Sequence, residues 1–443
     1  MRRRIAIIGL VSATVLTLGA CSNPNSGGGG GTAVADGTAK VQAKELTVWV
    51  NAVELEAVKA VYKRFGDKYG VKMNIVEMPT DNFESGVQTR WASGERPDVL
   101  EYHATSLFWA LNPEQNLYDL SKMPFASRAG DIYKDAGSHN GKVYAAITDT
   151  PSLFGIFYNK DVFTRNGLNI PQTFADLEQV CATLRQKDPN AIPIWESGGS
   201  AWPVQILSGL MYMGSAQQSE NWAQQVTDKK TTFNAPGGPF VAGLNQYKKF
   251  KDTGCFNKDA TTAKFEDALP ALAKGQAAMV ALPTGLADMI ADQFGGDRAK
   301  TAQHIGFAYP SATGAVSIWA PNVAGTWYVP KTGNGDREST ALAFIQYATG
   351  EGYQTYVDES GTFPLLEGAQ PPKGGYSGLA KEFNDAYETS TAYAFNSNLS
   401  GFNVEFPNYV TGILSGSETP EGAAEKSQKV FEQAAKLAKL PGW

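Results

Sequence analysis

The side chains of this chain best equipped to engage another molecule are rings and oxygens that follow apolar, β-rich runs. Asn51 and Glu54 come just after residues 46–50, and Asp81 follows the run 75–77. Tyr102, His103 and Thr105 stand at and beyond the end of 97–102, and Trp195 and Glu196 close the run that starts at Ala191. Rings stack on apolar faces, while carboxylates, amides and hydroxyls exchange hydrogen bonds, so this set suits holding a ligand. Bond-breaking chemistry has thinner support. The three histidines, His103, His139 and His304, sit far apart with no Cys, Asp or Glu at metal-ligand spacing, so no metal site and no cofactor is expected. There is no Gly-x-Ser-x-Gly elbow, and no pair of carboxylates stands out as acid and base. Nine Trp, 18 Tyr and 22 Phe supply more rings than one site uses. Trp49 alternates with Val48 and Val50 and reads as core, and Trp91 and Trp109 read as packing.

The N-terminus says where such a ligand would be met. Arg2, Arg3 and Arg4 precede an apolar run over 5–18, too short to span a bilayer, and then Leu18-Gly19-Ala20-Cys21. That pattern is a secretory signal, and its last four residues resemble the bacterial lipobox. The resemblance implies cleavage after residue 20, lipidation of Cys21, and a mature protein anchored to the cell membrane on its extracytoplasmic face. Residues 21–43, with Gly27 to Gly31, read as a flexible tether. Cys181 and Cys255 then remain in an oxidising compartment, where a disulfide can persist. Cys181 also falls on the apolar side of a helix with Phe174, Leu177 and Leu184, which equally fits a buried thiol.

A chain of 443 residues, 42% hydrophobic and 19% charged, can build two or three cored domains. No second apolar run reaches 18 residues. The net charge is −6, and about −9 without the three leading arginines, with no basic block, which disfavours nucleic acid and anionic membrane surfaces as partners. Strand-like and helix-like segments alternate. Residues 46–50, 71–77 and 97–102 read as strands, and 54–69 and 83–93 as helices ended by Gly70 and Gly94. From Leu153 onward the theme repeats, with strands at 154–158, 191–195 and 277–282. Helices are expected after the Thr173 cap, at 265–273, at 339–349, and from Thr419-Pro420 to the end. This alternation argues for α/β sheets of parallel type with ligands beyond the strands' carboxyl ends.

In order along the chain, several segments resemble the solute-binding lipoproteins of bacterial ABC importers, specifically the family that binds carbohydrates. They are Leu46-Thr-Val-Trp-Val50 with its helix, Gly94-Glu-Arg-Pro-Asp-Val99, Gly141-Lys-Val-Tyr144, and Phe157-Tyr-Asn-Lys-Asp-Val-Phe163 continuing through Gly167 and Pro171-Gln-Thr-Phe174. Leu272-Ala-Lys-Gly-Gln-Ala-Ala-Met279, the 339–349 helix and Gly361-Thr-Phe-Pro364 complete the set. The resemblance implies a two-lobed, periplasmic-binding-protein-like (type II) α/β fold with helices on both sheet faces and a hinge between lobes. One lobe would comprise 44–148 plus 321–368, the other 149–320 plus 369–443. It also implies a monomer that closes on a sugar or oligosaccharide and delivers it to membrane-embedded permease subunits.

Under that resemblance further residues become candidates. Asp149 lies beside the first crossing between lobes. Trp202, in Ala201-Trp202-Pro203, resembles a stacking floor of maltodextrin-type binders. Thr284 stands in a turn where such proteins often carry an additional Trp, which this chain lacks. Trp319, Asn322 and Trp327 lie at the return crossing, and Phe402 on the last segment. A binder of a polyamine, amino acid or metal chelate on the same scaffold, and an exported carbohydrate-active enzyme, are the alternative functions. A buried carboxylate cage would mark the polyamine binder.

Overall fold

Both faces of the first strand are apolar, and in the computed structural model both are covered. Residues 34–443 are described apart from 54, 131–132, 134–135, 217–220, 313–317, 321–322, 377, 390–391, 394–398, 400–404 and 439. Cys21, Glu54, Asn322 and Phe402 therefore lie outside the described residues. Strand β1 (Glu45–Asn51) buries Leu46, Val48, Trp49 and Val50. Helix α1 (Glu56–Tyr69) turns Val58, Val61, Tyr62 and Phe65 inward and stops at Gly70, where φ is 66° and a Cβ would be strained. Then come β2 (Lys72–Met78), α2 (Phe83–Ala92), β3 (Val99–Glu101) and β4 (Ala146–Ile147).

The longest strand, β5 (Ser152–Asn159), follows at once and opens a second sheet. Helix α3 (Phe174–Lys187) starts at a capping box, with Thr173 and Asp176 satisfying each other's backbone N–H. Next are β6 (Ile192–Trp195), α4 (Val204–Ala216), α5 (Pro239–Asp252), α6 (Phe265–Ala273), β7 (Ala277–Pro283), α7 (Ala287–Asp292), α8 (Arg298–His304), β8 (Ile305–Ala308) and β9 (Ile318–Ala320). The chain then returns to the first sheet with β10 (Thr326–Tyr328), α9 (Gly335–Thr349) and α10 (Tyr353–Ser360). It ends in the second region with α11 (Leu379–Thr389), β11 (Ala392–Tyr393), α12 (Phe406–Ser415) and α13 (Pro420–Leu437).

The first sheet runs β2-β1-β3-β10-β4. β1 is parallel to β2 and β3, whereas the returning β10 is antiparallel to β3 and β4. The second sheet runs β11-β9-β5-β7-β6, with β8 also on β5. Here β6 and β7 are parallel, as are β9 and β11, but β5 is antiparallel to β7, β8 and β9. The sheets are thus mixed, because each contains a strand that arrives by a crossing rather than by a βαβ turn. One core encloses the first sheet and draws on α9 and α10. The second sheet is cored on both faces: Ile156 and Tyr158 of β5 point into one cluster, Leu153 and Phe157 into the other, as the two-residue period of a strand requires.

Residues 34–43 are docked rather than free, unlike the flexible tether read over 21–43 from composition; residues 21–33 lie outside the described residues. Ser339 Oγ donates to Lys40 O at 2.8 Å, and Thr340 Oγ1 accepts from the N–H groups of Gln42 and Ala43 at 2.9 and 2.8 Å. Ala35, Ala39 and Val41 pack on the first core. The two hydroxyls on α9 give the extended backbone partners it would otherwise seek in water.

Cys181 and Cys255 form a disulfide with Cα atoms 5.6 Å apart, which excludes the buried free thiol. It ties α3 to the segment just beyond α5. With the cysteines 74 positions apart in the chain, replacing both by Ala should lower unfolding free energy by about 4 kcal/mol on a loop-entropy account. Urea denaturation of the variant beside the parent checks this; an unchanged midpoint would show that the bridge constrains nothing that the core does not already hold.

Candidate functional site

Three strands of chain pass between the two sheets, and polar side chains stitch them together. Thr148 donates from N and Oγ1 to Gly325 O at 3.0 and 2.9 Å. Asp149 Oδ1 accepts from Thr362 Oγ1 at 2.7 Å and from Thr150 N at 3.0 Å. Thr150 Oγ1 donates to Phe363 O at 2.8 Å. The Tyr353 hydroxyl donates to Thr148 O at 3.0 Å and accepts from Leu365 N at 2.7 Å. Gly325 has φ of 70°, and a Cβ there would stand 2.7 Å from Thr148 Oγ1, so the close crossing needs a glycine.

Beside these crossings lies a cavity of about 200 Å³. Leu55 and Ala57 wall it from the first sheet's side, Thr284 and Phe383 from the second's, and Asp149 and Thr362 from the crossings. Its three carboxylates are all engaged. Asp149 is held as above, Asp288 faces Arg298, and Asp358 Oδ1 accepts from Lys373 N at 2.8 Å and Gln354 Nε2 at 3.2 Å. The lining therefore sets three carboxylates against two cations, Arg298 and Lys373, and each carboxylate already accepts hydrogen bonds from the protein. Thr284 Oγ1 accepts from Leu153 N at 3.0 Å, which fixes the turn against β5.

Two other candidates meet where the loops of the two sheets approach, and the rest stay within their own region. Asp81 pairs with Lys264 Nζ at 3.2 Å, and Lys264 also donates to Gly199 O at 2.6 Å. The next residue, Phe265, has its ring 4.8 Å from that of Trp202, so Asp81 from one region and Trp202 from the other are brought to one corner. Trp202 is half-buried and packs between the two cores of the second sheet. Trp195 packs on one of these cores. Asn51 Oδ1 accepts from Thr80 Oγ1 at 2.7 Å and Val53 N at 3.1 Å, so it shapes the loop after β1. His103 Nε2 lies 2.7 Å from Glu84 Oε1. Burial pushes the Glu84 carboxyl up, and the hydrogen bond and charge of His103 more than offset this and hold it below the usual range. Thr105 sits at φ 61°, ψ −147°, a costly conformation for a β-branched residue, kept in place by its N–H on Ala136 O at 2.7 Å.

Three candidates turn inward instead. The Trp327 indole is 1% exposed; it packs on Tyr62 and Phe344 and donates from Nε1 to Tyr62 Oη at 2.7 Å. All three residues of β10 are buried, so its side chains meet core, not ligand. Tyr102 is fully buried, its hydroxyl accepting from Gln88 at 3.4 Å. Glu196 is 2% exposed, its backbone clasped by Asn257, whose amide accepts from Glu196 N at 2.8 Å and donates to Glu196 O at 3.1 Å. Trp319 lies on β9 with its backbone paired to Leu153 and Tyr393; its side chain is outside the described residues. Lys264, Arg298 and Glu84 were missed by sequence reasoning, because their partners are distant in the chain. Thr362 had a signal, standing in Gly361-Thr-Phe-Pro364. Among the described residues no group of His, Cys, Asp and Glu could hold a metal ion, and no helix is long and apolar enough to cross a membrane.

Burial pushes the Glu196 carboxyl from 4.5 up to about 8, only partly countered by the Tyr247 hydroxyl and Ser197 N–H. A raised folded-state value means the protonated native form is favoured. Its contribution is fully present below about pH 4.5 and is lost as pH rises through about 8. Glu196→Gln should therefore flatten the stability profile, the parent losing a few kcal/mol more than the variant between pH 5 and 8. Urea titrations of both at the two pH values measure the difference; parallel slopes would mean the carboxyl is not desolvated.

Comparison with known proteins adds a family pattern. That of a family described as bacterial extracellular solute-binding protein matches residues 60–382. The multiple sugar-binding protein of Streptococcus mutans is 23% identical over 288 residues, covering 62% of this chain and 63% of that protein. Lipoprotein LipO of Bacillus subtilis is 23% identical over 239 residues, 48% of this chain and 45% of LipO. The matches thus span less than two thirds of either curated relative. Among solved structures, a chitin oligosaccharide binding protein superposes with a TM-score of 0.75 at 19% identity, covering 88% of this chain and 99% of that one. RafE with raffinose, a protein of Streptococcus pneumoniae, gives 0.69 at 19% identity, with 88% and 100% covered. A mannobiose-bound binding protein of a Bifidobacterium animalis ABC transporter gives 0.68 at 14% identity, with 90% and 97% covered. At these identities the likeness carries the fold, a periplasmic-binding-protein-like α/β architecture.

Proposed function

This chain belongs to the bacterial extracellular solute-binding protein family, and on that premise we propose that it captures a sugar or oligosaccharide between two lobes and delivers it to the permease of an ABC importer. The lobes are 44–148 with 321–368 and 149–320 with 369–443, and the stitched crossings are the hinge. The observation that carries the sugar reading is the cavity at those crossings. A sugar brings hydroxyls and weakly apolar C–H faces and no charge. The cavity provides Thr150, Thr284, Thr362 and Asp149 oxygens, a Phe363 and Phe383 ring surface, and carboxylates that already accept hydrogen bonds from the protein, Asp288 from Arg298. A polyamine would need open carboxylates to replace its hydration, and these are engaged, which weighs against that reading. The names of the relatives point the same way: they are binding proteins, several of them for saccharides.

The ligand sits at the hinge end, with Asp149 and Thr284 as contacts, and Asp81, His103 and Trp202 line the approach. The protein is a monomer held on the outer face of the cell membrane by lipid on Cys21. A thermal-shift screen against neutral oligosaccharides and against polyamines tests the ligand class. A matching saccharide at about 100 times its Kd should stabilise the protein by roughly 2.7 kcal/mol, and polyamines should not. Stabilisation by a polyamine alone would replace the sugar with the alternative ligand. For the anchor, Cys21→Ser should release the protein from the membrane fraction with its ligand response intact; a variant still firmly in the membrane would refute lipidation there.

A further inference from the structure

One cation joins the helices of the second sheet to the core of the first. Arg298, the first residue of α8, is gripped in a fork by Asp288 of α7, Nε to Oδ1 and Nη2 to Oδ2 both at 2.8 Å. Nη2 also donates to Ser360 O at 2.7 Å. Ser360 is the last residue of α10, whose Tyr353, Tyr356 and Val357 are buried in the first core. A helix C-terminus presents unpaired carbonyls and partial negative charge, which is where a guanidinium gains most. The backbone leaves that end through Gly361, with φ of 69°, and a Cβ there would stand 2.4 Å from Arg298 Nη1. The following residue is Thr362, already bonded to Asp149. Cation, helix end and crossing therefore meet within three consecutive residues.

We propose that Arg298 is the pivot of the lobes' motion, a positioning residue that keeps the end of α10 seated on α7 and α8 while the rest of the interlobe surface parts and closes. The proposal rests on the closure reading given above. Rotation about the crossings displaces contacts beside them least, so a bond next to Thr362 can persist through the whole swing. The planar fork makes it directional as well as strong. Asp288 holds one edge of the guanidinium, and Ser360 O lies along it, so the angle between α8 and α10 is set by one rigid group. Without the fork the unliganded lobes wander over more angles. The competent fraction then falls, and apparent affinity falls with it. Gly361 belongs to the same device, since any side chain there would push the guanidinium off its seat.

The test reads the lobes directly. Spin labels replace the exposed Lys63 on α1 and Lys429 on α13 in a chain carrying Cys21→Ser, where the Cys181–Cys255 bridge leaves no other thiol. Pulsed EPR without ligand should give an interlobe distance distribution about twice as broad in Arg298→Gln as in the parent. Arg298→Lys, which keeps charge and loses the fork, should fall between them. Saccharide affinity of Arg298→Gln should drop about 5- to 20-fold, with a melting temperature close to the parent's. An unchanged distribution in Arg298→Gln overturns the proposal, even if affinity falls, because that result would make Arg298 a ligand contact only. Should that variant fail to fold, Gly361→Ala takes its place: it retains the arginine, displaces it, and must broaden or shift the distribution, while a parental distribution there rejects the pivot. If no saccharide binds the parent, the sugar reading fails, and the unliganded distances still decide the pivot.

Discussion

A chain that crosses three times between two separately closed cores must satisfy its polar backbone where no ladder or helix runs. Side chains do it here. Thr148, Asp149 and Thr150 in one crossing answer Gly325, Thr362 and Phe363 in the other two, and Tyr353 adds a shared hydroxyl. Side-chain oxygens tolerate changes of angle that a ladder would not. The cavity beside them follows, because crossing segments do not interdigitate as packed sheets do.

The two halves are built differently around that seam. The first sheet buries a single large cluster. The second has clusters on both faces of β5, so that strand is the spine of its half. One of its edges is shared, with β8 pairing 156–159 and β9 pairing 152–154. β5 begins directly after the first crossing. A displacement at Asp149 or Thr150 is thus passed to a strand that touches β7, β8 and β9, and a well-packed core transmits it with little loss.

Much of this was legible in the sequence where local signals are strong. The α1 stop at Gly70, the Thr173–Asp176 capping box, the ends of α6 and the Thr419 cap lie where spacing put them. α9 begins earlier than 339, capped by Asn334, because its first turn is polar and carries no apolar stripe. α4 was invisible for the opposite reason: Val204, Ile206, Leu207, Leu210 and Met213 are all buried, and a helix apolar on every side has no period to read. The site was less legible than the fold. Position after a strand does not decide which way a side chain turns; Glu196 turns inward because Asn257 clasps its backbone. Trp327 sits by a Gly-Thr turn, yet Tyr62 and Phe344 from distant helices close over its ring. Lys264 and Arg298 act on partners 183 and 62 positions away, and no local pattern reports such a contact.

The docked segment ahead of β1 has a mechanical consequence. β1 lies between β2 and β3, parallel to both, and residues 40–43 are fastened to the start of α9. A pull transmitted from the N-terminal side would meet the Ser339 and Thr340 bonds first. It would then load the β1 ladders along their length, so that many bonds share it in shear instead of opening one by one as in an unzipping hairpin. Force entering there would thus meet the first half's ladders before it reached the crossings.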